Sequence, residues 1–308
     1  MRNYYLWFAK LALFVLVFLV SDYFFGMVVK ALDKQAVKMN PIENKTSYLL
    51  NDVNSDVLII GASEVEFSFR PDILMDSLGM SVYNCGKNGQ RLYYQTVVVN
   101  SIIDRYSPKF LIWSVAPNYL TPHQSDFDKI SVFKPYYREN VYCRELLQKR
   151  SWSEKYKMLS YFYTYNSEFH THILNVIRPV YTNTIYGYRP IPDGNGTPLL
   201  EEEQLADQPE ELSVTLFENT LGRLSDKGIQ AVFVFSPRYT KGDYHNMDSY
   251  NLLKEIINRN GFILVEDYYH HPSLMHDYYF RDKDHLTEKG VDVFSKMIAH
   301  RLSSLIKR

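Results

Sequence analysis

Five short apolar runs constrain this chain more than anything else in it: Val57–Ile60, Ser81–Tyr83, Phe110–Val115, Ala231–Phe235 and Phe262–Glu266. Each is of strand length and is bounded by turn residues. Between most of them lie segments whose apolar residues recur at helical spacing: Pro71–Leu78, Tyr93–Tyr106, Leu212–Leu224, Tyr250–Asn258 and Thr287–Ile306. Pro71 stands where a first helical residue tolerates proline, and Gly79 follows where a helix ends. Strands that alternate with helices pair in parallel, and the helices then cover both faces of the sheet. The expected class is therefore α/β, with a five-stranded parallel sheet.

Two regions break this rhythm. From Tyr119 to about Gln208 the interval is too long for an ordinary connection. It is rich in tyrosine (Tyr136, Tyr137, Tyr142, Tyr156, Tyr161, Tyr163, Tyr165) and ends in the loop Pro190–Gly196 and the acidic run Glu201-Glu202-Glu203. It reads as a partly helical insertion or lid, at about 120–208. At the other end, Leu11–Val29 is apolar and contains one charge, Asp22. It is about long enough to cross a bilayer core as a helix. Gly26-Met27-Val28 is a poor cleavage site, so an uncleaved signal anchor fits better than a removed leader. The expected organisation is an anchor over 1–30, a polar stalk over 31–52, and one large domain over 53–308. A lone N-terminal anchor usually leaves the following domain outside the cytoplasm. The basic residues flanking the anchor favour neither orientation.

The candidate chemistry sits at strand ends. Ser63 directly follows the run Val57–Ile60 through Gly61-Ala62, and in a parallel sheet ligands collect beyond the carboxyl ends of the strands. A serine hydroxyl is a weak nucleophile and needs a base within hydrogen-bond reach. Far downstream, Asp282-Lys283-Asp284-His285 supplies one. His285 is the base, and Asp282 can bend back to accept its Nδ1 hydrogen and fix the tautomer. Asp284, adjacent to the histidine, is the poorer orienting residue. Acyl chemistry also needs donors aimed at an oxyanion. A glycine in Asn84-Cys85-Gly86-Lys87-Asn88-Gly89 can present its N–H without obstruction, and the amide of Asn118 in Val115-Ala116-Pro117-Asn118-Tyr119 is a second donor.

Taken together, these four blocks resemble the SGNH (GDSL-like) hydrolase superfamily, whose hallmark is separated blocks giving Ser, Gly, Asn and His in that order. Ser63 matches the first block, Gly89 the second (Gly86 in the alternative register), Asn118 the third, and Asp282 with His285 the terminal D-x-x-H. The resemblance covers about 53–120 and 210–306. It implies a flavodoxin-like three-layer α/β/α fold, a Ser-His-Asp triad, and an oxyanion hole from the Ser63 and Gly89 N–H groups with Asn118. The usual Gly-Asp-Ser-Leu is Gly61-Ala62-Ser63-Glu64 here, and Gly-x-Asn-Asp is Ala116-Pro117-Asn118-Tyr119. With its anchor, the chain looks more like envelope members linked to polysaccharide O-acylation than like small secreted lipases. The expected activity is that of an esterase or O-acyltransferase, with acetyl the expected group, on a cell-envelope glycan. Water as acceptor gives hydrolysis, and a sugar hydroxyl gives transfer. The alternative is a non-catalytic envelope protein that binds glycan or a membrane-bound acyltransferase.

Other classes fare worse. The net charge of −1 and dispersed basic residues leave no basic face for nucleic acid. His170-Thr171-His172 and His270-His271 lack carboxylates or cysteines at ligand spacing, so neither a metal nor a cofactor is expected. Cys85 and Cys143 can pair in an oxidising space or stay as small buried hydrophobes. Arg70 and Arg238 each lie just beyond a strand, where an arginine is either an anion ligand or half of an ion pair.

Overall fold

The structure is a computed structural model that describes residues 2–39, 44–166, 184–192 and 200–306. Along the chain its helices are α1 (Arg2–Met39), α2 (Lys45–Asn51), α3 (Ser63–Glu66), α4 (Pro71–Leu78), α5 (Leu92–Arg105) and α6 (Asp126–Lys129). Then come α7 (Val141–Arg150), α8 (Glu154–Lys157), α9 (Tyr161–Tyr165), α10 (Glu211–Asp226), α11 (Asp248–Arg259) and α12 (Glu288–Ile306). The strands are β1 (Val57–Ile60), β2 (Val82–Asn84), β3 (Phe110–Val115), β4 (Glu201–Glu202), β5 (Gln230–Phe235), β6 (Thr240–Lys241) and β7 (Ile263–Val265). Contacts divide the chain into two compact units, one of Met1–Asn44 with Ser131–Tyr181 and the other of Lys45–Ile130 with Thr182–Arg308.

The second unit is a three-layer α/β/α sandwich around a five-stranded sheet in the order β2-β1-β3-β5-β7. Every pairing is parallel: Val57 stands opposite Val82 on β2 and Phe110 on β3, Phe110 opposite Gln230, and Val232 opposite Ile263. This is the expected fold, with strand and helix ends displaced by a residue or two. The side-chain period of two divides each strand between two cores. Val57, Ile59, Ile112, Val232 and Val234 pack with Phe69 and Leu74 beneath α4, and with Phe294, Ile298 and Leu302 of α12. On the opposite face Trp113 meets Phe217 of α10 and stacks on Phe233, at ring separations of 5.7 Å in both cases. Fully burying each such side chain contributes about 1.5–3 kcal/mol, so the sheet is fixed from both sides. The short β4–β6 pair lies apart from this sheet.

Lys45–Asn51, which composition alone assigns to a polar stalk, is a helix of this unit packed on α5. Its Lys45 amine is buried and donates to the carbonyls of Gly86 and Gly187. Burial holds that amine down to about 8.

In the first unit α1 is one unbroken helix that outruns the expected anchor and is long and apolar enough to cross a bilayer once. From Tyr4 to Val20 its large apolar side chains are exposed. Asp22, the one charge in the apolar run, is buried. It accepts hydrogen bonds from Ser160 Oγ at 2.7 Å and from the N–H groups of Tyr161 and Phe162 at 2.8 and 2.7 Å. The first turn of α9 is thereby capped by a carboxylate from α1, as orphan helix N–H groups require. One turn on, Gly26 admits the Tyr161 ring, which any Cβ there would meet.

Candidate active site

Ser63 opens α3 three residues beyond the end of β1, so its backbone is tied to the centre of the sheet. The strand order runs outward on both sides from β1, and the crevice at such a switch point is where open parallel sheets hold ligands. The turn that aims the serine is tight. A Cβ at Gly61 would collide with the Val65 side chain, so glycine is required for α3 to fold back on the strand. The serine is half-buried, and neither its N–H nor its hydroxyl is bonded within the described residues.

The glycine block lies beyond β2 and is braced from three sides. The buried Asn84 side chain donates to the carbonyls of Val65 and Phe69 at 2.7 and 3.0 Å, and its Oδ1 accepts the Gly86 N–H at 2.9 Å. Lys45 holds the Gly86 carbonyl. Glu66 Oε2 accepts the Asn88 N–H at 2.6 Å. These bonds separate the two glycine registers. The Gly86 amide is spent on Asn84, whereas Gly89, at φ +73°, keeps an N–H with no partner among the described residues. Asn118 follows β3 and is held by its carbonyl, which accepts from Thr121 N and Oγ1 at 3.2 and 2.8 Å. Its side-chain amide has no hydrogen-bond partner among the described residues.

A pocket of about 360 Å³ gathers Ser63, Gly89 and Asn118 on one wall system, together with Glu64, Arg91, Lys129, Arg238 and Asp284. The structure thus brings three of the expected residues together.

Asp282 and His285 also meet. Both carboxylate oxygens lie 2.9 Å from His285 Nδ1, and Oδ1 further accepts the N–H groups of Asp284 and His285, each at 2.9 Å. A D-x-x-H spacing suits this closed turn, because one carboxylate serves two backbone donors and the ring at once. Burial works to raise the Asp282 carboxyl, but the hydrogen bonds from the His285 ring and the two N–H groups outweigh it and leave it below its ordinary value. The His285 ring packs edge-on against Phe67, the residue that ends the Ser63 helix, with centroids 5.6 Å apart. Its Nε2 is buried and has no hydrogen-bond partner among the described residues. Ser63 and His285 are not hydrogen-bonded to each other, and Asp284 rather than His285 lines the pocket. Asp284 is there because Arg238, itself on the pocket wall, pairs with it and with Glu203 Oε1 at 2.8 Å.

Sequence reasoning passed over Glu64. It lines the pocket beside the serine, and its Oε1 accepts the Ala62 N–H at 2.9 Å. Burial raises its pKa against the pull of the Ala62 and Glu64 N–H groups, the Ser114 hydroxyl and Arg238. Its position directly after the serine is the only sequence signal it gives. Glu66 and Lys45 were missed for another reason: they act on backbone atoms of the glycine block.

The remaining candidates resolve simply. Arg70 pairs with Asp72 and Asp292, and Arg238 is likewise ion-paired. Cys85 and Cys143 are free and buried, and burial pushes the Cys85 thiol up to about 12. Among the described residues no group of three or more His, Cys, Asp or Glu is placed to hold a metal ion. His270 instead lies 3.1 Å from Thr240 Oγ1. His170 and His172 lie outside the described residues.

No protein-family model matches the chain, and no curated protein matches it. Among solved structures it is similar to a protein of Bacteroides fragilis NCTC 9343 described as a candidate acylhydrolase. Sequence identity is 13%, the TM-score is 0.40, and the match covers 82% of this chain and 88% of the other.

Proposed function

We propose that this chain is a membrane-anchored, extracytoplasmic serine esterase or O-acyltransferase of the SGNH type, acting on an acylated cell-envelope polysaccharide. One observation carries the chemical part of the reading. Three donors without partners among the described residues, the N–H groups of Ser63 and Gly89 and the Asn118 amide, share one pocket with a serine hydroxyl that is likewise unbonded there. Spare donors beside a nucleophile are what a developing oxyanion needs. The glycan part rests on the sequence resemblance and on the anchor.

In this reading Ser63 Oγ attacks the acyl carbonyl while His285 Nε2 takes its proton. The carbonyl π electrons move onto oxygen, which the three donors hold. Collapse breaks the ester C–O bond, and His285 returns the proton to the leaving alcohol. Water or a sugar hydroxyl then cleaves the acyl-enzyme by the same steps in reverse. Asp282 fixes the imidazole with Nδ1–H inward and Nε2 free, in accord with the 2.9 Å contacts. Substrate binding must bring Ser63 Oγ and Nε2 into hydrogen-bond reach, since catalytic hydrogen bonds are often completed only in the complex.

That missing bond is also what favours a second reading, a non-catalytic member of the fold that binds glycan or a membrane acyltransferase. Labelling with a fluorophosphonate separates the two. The enzyme reading expects stoichiometric attachment at Ser63 that vanishes in Ser63→Ala and weakens in His285→Ala. Folded protein that takes up no label would refute it. A Ser63→Ala strain then divides esterase from transferase: surface O-acetylation rises in the first case and falls in the second.

A further inference from the structure

The exposed apolar residues outside α1 are unevenly spread. Trp152, Tyr156, Leu159 and Phe162 are 80, 56, 72 and 38% exposed, and all four fall within one short stretch of the first unit. Water-facing tryptophan and leucine at such exposure call for a partner. The same unit shows what the partner is. Asp22 caps α9, which fixes this stretch against α1 two residues beyond the point where the exposed segment Tyr4–Val20, apolar except for Lys10, ends. Phe162 stacks on Phe25 at 4.6 Å and touches Phe18, a residue of that exposed segment, at 5.9 Å. Tyr4–Val20 rises about 25 Å at 1.5 Å per residue, close to the thickness of a hydrocarbon core.

We propose that residues 152–162 form a membrane-interface element that lies in the headgroup layer of the bilayer α1 crosses. Trp and Tyr are amphipathic rings suited to that depth, and Leu159 with Phe162 supplies apolar side chains that reach further in. Lys149 and Lys155 are exposed around them, with Lys155 over the Tyr156 ring at 4.9 Å, while Lys157 is paired with Glu154 at 3.0 Å. Long basic side chains here extend toward lipid phosphates while their stems cover apolar surface. A glycan platform would use the flat rings but gives the exposed Leu159 nothing to do. The buried Asp22 also acquires a purpose: an ionisable group at the membrane boundary is held by a helix N-terminus, which locks the element to the anchor.

The chain's three tryptophans make a direct test. Trp113 is fully buried, Trp7 lies in the exposed part of α1, and Trp152 is in the element. Full-length Trp7→Phe protein would be placed in lipid nanodiscs whose acyl chains carry bromine near the headgroup end. Emission should fall relative to unbrominated nanodiscs, and the fall should be lost in Trp7→Phe/Trp152→Phe, whose Trp113 emission also reports that the fold is intact. Equal emission in the two lipids for Trp7→Phe would overturn the proposal. So would Trp152 quenching that is absent in lipid but appears with added envelope oligosaccharide, which would mark a sugar site. The outcome is independent of Ser63 labelling.

Discussion

Around Asp282 the polar groups are spent on one another, whereas around Ser63 they are left open. The Asp282 carboxylate takes three donors, and the turn that carries it is closed further by Thr287 N donating to Tyr279 O at 2.9 Å. On the other side the braces are just as numerous but lie one to three residues before Gly89. Asn84, Lys45 and Glu66 hold Gly86 and Asn88, and leave Gly89 free. A site whose supports are satisfied and whose facing donors are not is prepared for a ligand oxygen. His285 Nε2, without a partner among the described residues, is where the two halves would have to join.

The largest effects should come from that join. In the enzyme reading, His285→Ala lowers turnover of a small acyl ester by something on the order of 10³- to 10⁶-fold, and Asp282→Asn by about 10⁴-fold because the tautomer is lost. Both variants should fold, as checked by near-ultraviolet circular dichroism. If Asp282→Asn stays within a few-fold of wild type while Ser63→Ala is inactive, the acidic turn is only structural, and the comparison loses its chemical meaning.

Next comes the open side. Asn118→Ala should lower kcat by about 10²- to 10³-fold with little change in KM, the signature of a donor used in the transition state. A rise in KM alone would make Asn118 a substrate anchor and not part of an oxyanion hole.

A smaller pair of effects distinguishes the two glycines. A Cβ at Gly86 would collide with the Glu66 backbone nitrogen, so Gly86→Ala forces backbone to move and should cost about 1–3 kcal/mol of stability. At Gly89 the nearest atoms to a Cβ are the Lys129 side-chain end at 3.6 and 3.7 Å, which can yield. Gly89→Ala therefore pays mainly for its positive φ, about 1 kcal/mol. Urea unfolding in detergent micelles would rank them. The reverse order would mean that the Asn84 and Lys45 braces do not fix this loop.

How much of this was legible beforehand follows from the range of each interaction. Phe110–Val115 and Pro71–Leu78 coincide with their expected limits, because a buried strand and a capped helix are written in local pattern. The Asp282–His285 contact was legible for the same reason, since three residues suffice to close the turn. The braces were not. Lys45 falls in the expected stalk and Glu66 carries no local signal until the chain brings them to Gly86 and Asn88. Asp22 is the clearest instance. In sequence it mars an apolar run, and its partners lie at Ser160, Tyr161 and Phe162, which no local pattern reveals.

The smallest effect tests the closed side alone. The Asp282 carboxyl is held below its ordinary value of 3.8, so the folded state binds fewer protons there than the unfolded state as pH falls past that value. The contribution is complete above 3.8 and is lost as pH falls through the lower folded-state value. With the side chain 49% exposed, solvent screening keeps it small, under about 1 kcal/mol. Asp282→Asn cannot titrate, so the stability difference between it and wild type should shrink below that pH and be constant through neutrality. A difference that stayed flat through the acid range would show that the turn holds His285 without help from the carboxylate charge. The free Nε2 would then owe its position to Phe67 packing alone.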